Sequence, residues 1–240
     1  STACQLSHPI PWRSILDTHR ITNNFNAGSS GQSQQLQRGS TLVNRYLIQD
    51  IIGVGGMGSV YRARDLHFPN VVKLVAVKEM INAAPDPIVR QSIVQNFERE
   101  ANILATLSHP SIPKIFDYFT HEERSYLVLE YINGKDLEAL MADTDQPFSE
   151  DQVIAWTIEI LDLLQFLHTH KPEPIIFRDM KPSNVMINQN NHVVMVDFGI
   201  AKVFREGQRG TMVGTEGYSP PEQYRGEATV QADIYALGAT

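Results

Sequence analysis

GVGGMGSV at Gly53–Val60, VAVK at Val75–Lys78, FRDMKPSN at Phe177–Asn184 and VDFG at Val196–Gly199 follow one another along a chain of 240 residues. Each block alone is a weak signal. In this order they supply a glycine-rich loop, a lysine, a loop with a carboxylate and an amide, and a second carboxylate before a glycine. Those are the parts needed to hold a nucleoside triphosphate and move its terminal phosphate.

Around the glycines the pattern is that of strands. Tyr46–Ile52, Val60–Ala63, Val71–Val77 and Tyr126–Ile132 are rich in β-branched and aromatic residues. Asp86-Pro87 predicts a helix start, with a carboxylate at the cap and proline at the first position. The helix that follows carries Ile93, Phe97, Ala101, Leu104 and Leu107 at helical spacing. Beyond Asn133-Gly134 the chain turns helical. Ser149 and Gln152 form a capping-box pattern before the apolar helix Val153–Leu167. Strands with one helix, then a mainly helical part, predict an α+β, bilobal fold with a cleft near Glu130–Lys135. The first 40 residues read differently: Asn23–Ser40 is Asn, Gly, Ser and Gln with few apolar anchors. Such a stretch cannot bury enough surface to offset its ordering entropy, so residues 1–40 are expected to be a disordered linker.

Glycines at Gly53, Gly55 and Gly58 let backbone amides approach phosphate oxygens closely. A dinucleotide-binding turn shares the spacing, but it opens a helix and has an acidic residue about 20 positions on. Here Ser59-Val60-Tyr61 continues as a strand, and the residue 20 positions after Gly58 is Lys78. Lys78 alone would pass for a solvated strand lysine. Glu100 alters that reading, because it falls on the apolar stripe between Phe97 and Leu104, where a carboxylate needs a cation. A Lys78–Glu100 pair is therefore expected to aim the ammonium at phosphate.

The chemical centre is Asp179, Lys181, Asn184 and Asp197. Phosphoryl transfer requires positioned charge more than covalent help. Asp179 can accept the proton of an attacking hydroxyl, and Lys181 can neutralise the moving phosphate. Asn184 and Asp197 offer the oxygen ligands that magnesium prefers. Any one of these polar residues alone would pass for a turn cap; the set of four does not.

Composition narrows the remaining classes. The hydrophobic fraction of 42% supports a core, and a net charge of −7 argues against a general nucleic-acid surface. A single cysteine, Cys4, cannot build a disulfide framework, which suggests a reducing cytoplasm. No apolar run approaches the roughly 18 to 20 residues of a membrane span. The start at serine suggests a fragment or processed product, so an anchor in a longer parent stays compatible with the sequence.

From about Leu42 to Thr240 the chain resembles eukaryotic-like serine/threonine protein kinases of bacteria. GVGGMGSVYRA, VAVKEM, EREANIL, VLEYINGKDL, FRDMKPSNVMI, VDFGIAK, GTEGYSPPEQY and ADIYALG carry the resemblance. It implies an N-lobe at about 41–130, a hinge at about 130–135 and a partial C-lobe at about 136–240. It implies ATP between the lobes with Mg²⁺, or alternatively Mn²⁺, on Asn184 and Asp197. ATP is then expected against Ile52, Gly53, Val54, Gly55, Gly56, Met57, Gly58, Ser59 and Val60. Ala76 and Met186 would complete the base sandwich with Val60, Leu129 would be the gatekeeper, and Glu130 and Ile132 would offer hinge groups to adenine. Asp179, Lys181, Lys78 and Glu100 keep the roles argued above, and Thr215 would support Asp179 and the substrate hydroxyl. Lys181 two positions after the base resembles serine/threonine rather than tyrosine kinases. The implied partners are protein substrates, with self-association for autophosphorylation. Thr211 is the first candidate for regulatory phosphorylation, ahead of Tyr218 and Ser219, and Arg178 could receive its phosphate.

Three departures stand out. Phe177 replaces the usual histidine before Arg178-Asp179. Ser219-Pro220-Pro221-Glu222 replaces the usual Ala-Pro-Glu, with Glu222 expected to stay structural. The chain stops shortly after Asp233, which in the family anchors the catalytic loop, so the domain resembles one truncated at its C-terminus. The truncation keeps a second reading open, a catalytically silent ATP-binding or scaffold module. A third, a small-molecule phosphotransferase, fits less well with the glycine loop and the Gly214–Glu222 segment.

Overall fold

A computed structural model describes residues 35–55, 58–81, 87–122, 124–197, 215, 217–225 and 229–240. Residues 1–34, Gly56, Met57, Asp86, Phe198-Gly199 and Thr211 lie outside that description, as do the side chains of Ile93 and Glu100.

Six antiparallel strands form the first sheet: β1 (Thr41–Leu42), β2 (Tyr46–Gly55), β3 (Gly58–Asp65), β4 (Leu74–Ile81), β5 (Ile115–His121) and β6 (Arg124–Glu130). Their spatial order is β1-β2-β3-β4-β6-β5. One helix, α1 (Pro87–Thr106), interrupts the sequence of strands between β4 and β5. The second half contains a three-stranded sheet of β7 (Gly134–Asp136), β8 (Val185–Asn188) and β9 (Val193–Met195). Its helices are α2 (Leu137–Ala142), α3 (Glu150–His168) and α4 (Val230–Ala239). The α+β, bilobal reading of the sequence matches this division into a β-rich half and a mainly helical half.

Local chemistry accounts for most boundaries. The Ser149 side chain accepts the Gln152 amide at 3.3 Å and starts α3, as the capping pattern predicts. One expected strand is misplaced: Val71 and Val72 are 57% and 66% exposed and precede β4. Successive turns hold them out, with the Phe68 amide donating to Asp65 O and the Val71 amide to Phe68 O, before Asp65 N closes the hairpin on Lys73 O. Their β-branched character reads as strand, but pairing with β3 begins only at Leu74 opposite Arg64. The helical part expected beyond Asn133-Gly134 is preceded by one more short strand, β7, which Gly134 opens. A Cβ there would lie 2.1 Å from Ile187 O, so only glycine lets β7 approach β8 at this point.

Side chains alternate across β4, and both of its faces are buried. Ala76 and Met80 join Ile52, Val60, Phe97, Leu127 and Leu129 in one core. Val75 and Val77 join Tyr46, Tyr61, Ala63, Tyr126 and Val128 in another. Residues 35–40, expected within the linker, lie against this second face. The Leu36 amide donates to Tyr61 Oη at 3.1 Å, Gly39 N to Ile48 O at 2.8 Å, and Leu36 packs on the apolar cluster. A single leucine and the edge of β2 suffice to hold a stretch that composition marks as polar.

Glu79 sits on that second face, 1% exposed. Its carboxylate accepts Tyr61 Oη at 2.8 Å, Tyr126 Oη at 3.0 Å and Arg124 Nη1 at 2.7 Å. Burial and the neighbouring carboxylate push the Tyr61 phenol up to about 12, and it remains a donor at neutral pH. The charge is thus paired and hydrogen-bonded, the condition for burying a carboxylate.

Helix α3 carries apolar residues on its exposed side as well as its buried one. Trp156, Ile160, Leu163, Leu164 and Leu167 are buried with Phe177 and Met180 in the core of the second half, while Val153, Ile154, Ile158 and Leu161 are exposed.

Glu79→Ala is expected to lower unfolding free energy by about 3 kcal/mol, because it leaves Arg124 and two phenols facing a buried gap. Urea denaturation of this chain measures it; a loss under about 1 kcal/mol would show that water replaces the carboxylate.

Candidate active site

The loop between α3 and β8 is held from below by α4. Asp233 is fully buried, and its two oxygens accept the Phe177 and Arg178 amides, each at 2.8 Å. His168, in the last turn of α3, places Nε2 2.8 Å from the same carboxylate. Arg178 has φ +67°, a left-handed conformation that is unusual for a long side chain. Such a conformation persists where the surroundings over-determine it, and here the Asp233 bonds do so. Phe177 turns its ring into the core formed with α3, consistent with an aromatic standing where an imidazole is usual.

Asp179 follows directly. Its Oδ1 accepts Thr215 Oγ1 at 2.8 Å, its Oδ2 accepts Asn184 Nδ2 at 3.0 Å, and Lys181 Nζ lies 3.6 Å from Oδ2. Asn184 Nδ2 also donates to Asp179 O at 2.8 Å. Both acceptors require the nitrogen of that amide, which directs Oδ1 elsewhere. Asn184 Oδ1 is buried and has no hydrogen-bond partner among the described residues.

The β8–β9 hairpin sets the remaining geometry. Val185 pairs with Met195, and beyond them Val196 N donates to Asn184 O at 3.1 Å. This register brings Asn184 beside the segment that ends in Asp197. Asp197 Oδ1 lies 3.1 Å from Lys78 Nζ, and both side chains are largely buried. The expected partner Glu100 has its side chain outside the described residues.

These atoms fit a hard divalent cation. An orphaned amide oxygen and a carboxylate are the ligand types magnesium takes. Among the described residues no group of three or more His, Cys, Asp or Glu could hold a metal. A cation here would complete its shell with phosphate and water oxygens.

The apolar residues assigned to the nucleotide also converge. Ile52, Val60, Ala76, Leu129, Ile132 and Met186 belong to one buried cluster. Ser59 and Val54 do not join it: Ser59 Oγ accepts Gln35 Nε2 at 3.4 Å, and Val54 is exposed. Gly58 has a packing reason beside any phosphate role, since a Cβ would lie 2.0 Å from Glu79 O. The Glu130 amide donates to Lys114 O at 2.8 Å, and Glu130 Oε2 accepts the Lys114 amide at 3.2 Å, which ties this residue to the entry of β5.

A family model described as the protein kinase domain matches residues 46–240. The chain belongs to the protein kinase family. A probable serine/threonine-protein kinase PknB of Lactococcus lactis is 39% identical over 208 residues, covering 85% of this chain and 32% of that protein. Serine/threonine-protein kinase PknB of Mycolicibacterium smegmatis is 36% identical over 207 residues, covering 82% of this chain and 32% of its own length. Serine/threonine-protein kinase B of Synechocystis is 32% identical over 212 residues, with coverages of 83% and 36%. The chain thus spans about a third of the length of these relatives. Among solved structures, the apo form of PpkA-294 superposes with a TM-score of 0.74 at 26% identity, over 86% of this chain and 76% of that one. The kinase domain of Mycobacterium tuberculosis PknI, as a double mutant, gives 0.65 at 25% identity, over 85% and 73%.

Sequence reasoning missed two residues that hold the Phe177–Asp179 loop. His168 closes an apolar helix among ordinary polar residues, Gln165, Thr169 and His170, that do not single it out, and only the fold brings it to Asp233. Gln223, next to Glu222, is buried and donates to Arg178 O at 2.9 Å; the polar residue directly after PPE was the available clue.

Asp233→Ala removes the carboxylate that accepts the buried Phe177 amide and the half-buried Arg178 amide. It is expected to lower stability by about 2 kcal/mol or more and to shift thermal unfolding, followed by circular dichroism, clearly more than Asp233→Asn, which keeps one acceptor. Equal transitions for the two variants would contradict the anchoring.

Proposed function

We propose that this kinase domain transfers the γ-phosphoryl group of Mg·ATP to serine or threonine hydroxyls of proteins. The observation that carries the reading is the Asp179 carboxylate, held between Thr215 Oγ1 and Asn184 Nδ2 with Lys181 Nζ beside it.

In this reading Asp179 orients the attacking hydroxyl and accepts its proton. Thr215 and Asn184 fix the carboxylate, so little reorganisation accompanies the reaction. Lys181 balances charge on the transferring group. Lys78, at the cleft face of β4, binds the nucleotide phosphates, and Glu100 supports it from α1. Asp197 and Asn184 Oδ1 would hold Mg²⁺, or Mn²⁺, which neutralises phosphate charge when bound. Ile52, Val60, Ala76 and Met186 enclose the base below Leu129, with the Glu130 and Ile132 backbone at its edge and the Gly53–Ser59 loop over the phosphates. Lys181, two residues after the base, favours serine and threonine over tyrosine acceptors.

Regulation is part of the proposal. Thr211 is the expected phosphorylation site, with Arg178 as the receiving cation and a second copy of the chain as the phosphorylating partner. No described helix is long and apolar enough to cross a membrane; a cytoplasmic location follows from the reading of Cys4.

Phosphate transfer from labelled Mg·ATP to a generic protein acceptor tests the activity in the natural full-length protein. Asp179→Asn is expected to lower kcat by about 10²- to 10⁴-fold while Mg·ATP still binds. A folded wild-type protein that binds Mg·ATP without transfer would falsify the kinase reading in favour of a scaffold. Asn184→Ala is expected to raise the magnesium concentration needed for half-maximal rate, and an unchanged requirement would remove Asn184 from the metal site. Thr211→Ala is expected to block the rise in activity that follows preincubation with ATP.

A further inference from the structure

Gln223 opens a short turn, Gln223–Arg225, and is 2% exposed. Its Nε2 donates to Arg178 O at 2.9 Å and to Ser219 Oγ at 3.2 Å. Both partners accept, so the nitrogen and not the oxygen must point here. Ser219 Oγ in turn accepts the Thr215 amide at 3.0 Å. Tyr224 Oη donates to the Thr215 carbonyl at 3.3 Å. The Tyr218 and Ser219 amides reach the same carbonyl, each at 3.1 Å.

The two ends of this arrangement meet at one carboxylate. Arg178 is the residue before Asp179, and its left-handed backbone turns the loop. Thr215 is the residue whose hydroxyl donates to Asp179 Oδ1 at 2.8 Å. A single buried amide therefore grips the backbone on one side of Asp179 and, through Ser219, the amide of the threonine on the other. Ser219 directly precedes Pro220-Pro221-Glu222, which stands where the family usually has Ala-Pro-Glu.

We propose that Gln223 and Ser219 form a clip that sets Thr215 against Asp179 and so aligns the acceptor hydroxyl for transfer. They are positioning residues, since neither touches the reacting atoms. The clip rests on the kinase reading above and adds residues to it. Its chemistry demands a donor at 223 and a hydroxyl at 219. Gln223→Glu would face the Arg178 carbonyl with a carboxylate. Gln223→Leu removes the bonds to Arg178 O and Ser219 Oγ, and Ser219→Ala removes the bonds from Gln223 Nε2 and from the Thr215 amide.

The test uses the natural full-length protein with Gln223→Leu, Gln223→Glu, Ser219→Ala, Ser219→Thr and the Ser219→Ala/Gln223→Leu pair. For a serine-containing acceptor peptide, kcat is expected to fall roughly 10- to 100-fold in the first three, the scale of a misplaced reacting group. KM for ATP and the directly measured Mg·ATP affinity should stay within about twofold, because Lys78, Asp197 and the base pocket lie outside the clip. The pair should be no worse than the poorer single variant, since either change already interrupts the connection from Arg178 through Gln223 and Ser219 to Thr215. Ser219→Thr, which keeps the hydroxyl, should restore most of the kcat lost in Ser219→Ala. Hydrogen exchange supplies a readout independent of turnover: the Thr215 amide should exchange faster in Ser219→Ala than in wild type. Unchanged exchange overturns the clip. So does an active wild type whose folded variants keep kcat, lose Mg·ATP affinity in parallel, or multiply their defects. A silent wild type overturns the kinase reading itself, and the positioning role with it.

Discussion

The buried carboxylate of Asp233 is the constraint on which the arrangement around Asp179 depends. It is a charge in the core, and it is tolerated because it accepts two backbone amides and meets an imidazole. Those bonds hold Arg178 in a left-handed conformation that its own side chain disfavours. The turn that results carries Asp179 to the position where Thr215, Lys181 and Asn184 meet it. Helix α4 therefore acts at a distance: it carries none of these three residues, yet it determines the backbone that presents the Asp179 carboxylate.

A second constraint operates in the sheet. Alternation along β4 sends Lys78 to the cleft face and Glu79 to the opposite face. Lys78 meets Asp197, and Glu79 meets Tyr61, Tyr126 and Arg124. A one-residue slip of β4 would exchange these environments and bury an ammonium among phenols. The Glu79 network thus pins the register that aims Lys78. Leu36 and the Tyr61 hydroxyl extend the same network to the chain preceding the domain, so a segment of polar composition becomes part of the lobe over its last few residues.

Legibility differed between kinds of residue. The strands around the glycine loop and helix α3 could be read because their periodicity and caps are local. Val71 and Val72 misled because β-branching marks a fit to a pleated surface, while pairing partners decide whether that surface exists. Asp179, Lys181, Asn184, Asp197 and Lys78 stood out by type and order, and the fold brings their side chains into two groups, one around Asp179 and one joining Lys78 to Asp197. His168 and Gln223 could not be found that way. Each is an ordinary polar residue whose partner lies 65 or 45 positions away in the chain.

By itself the sequence determined the family, the division into a strand-rich half and a mainly helical half, and the chemical kinds of residue at the centre, because these follow from motif order, local propensity and spacing along the chain. Tertiary structure alone decided the contacts between distant segments: the amide oxygen of Asn184 left without a partner among the described residues, the grip of Asp233 on the loop, and the link from Gln223 through Ser219 to Thr215. The physical reason is that a hydrogen bond depends on distance and angle to within tenths of an ångström, and packing of elements far apart in sequence sets those quantities.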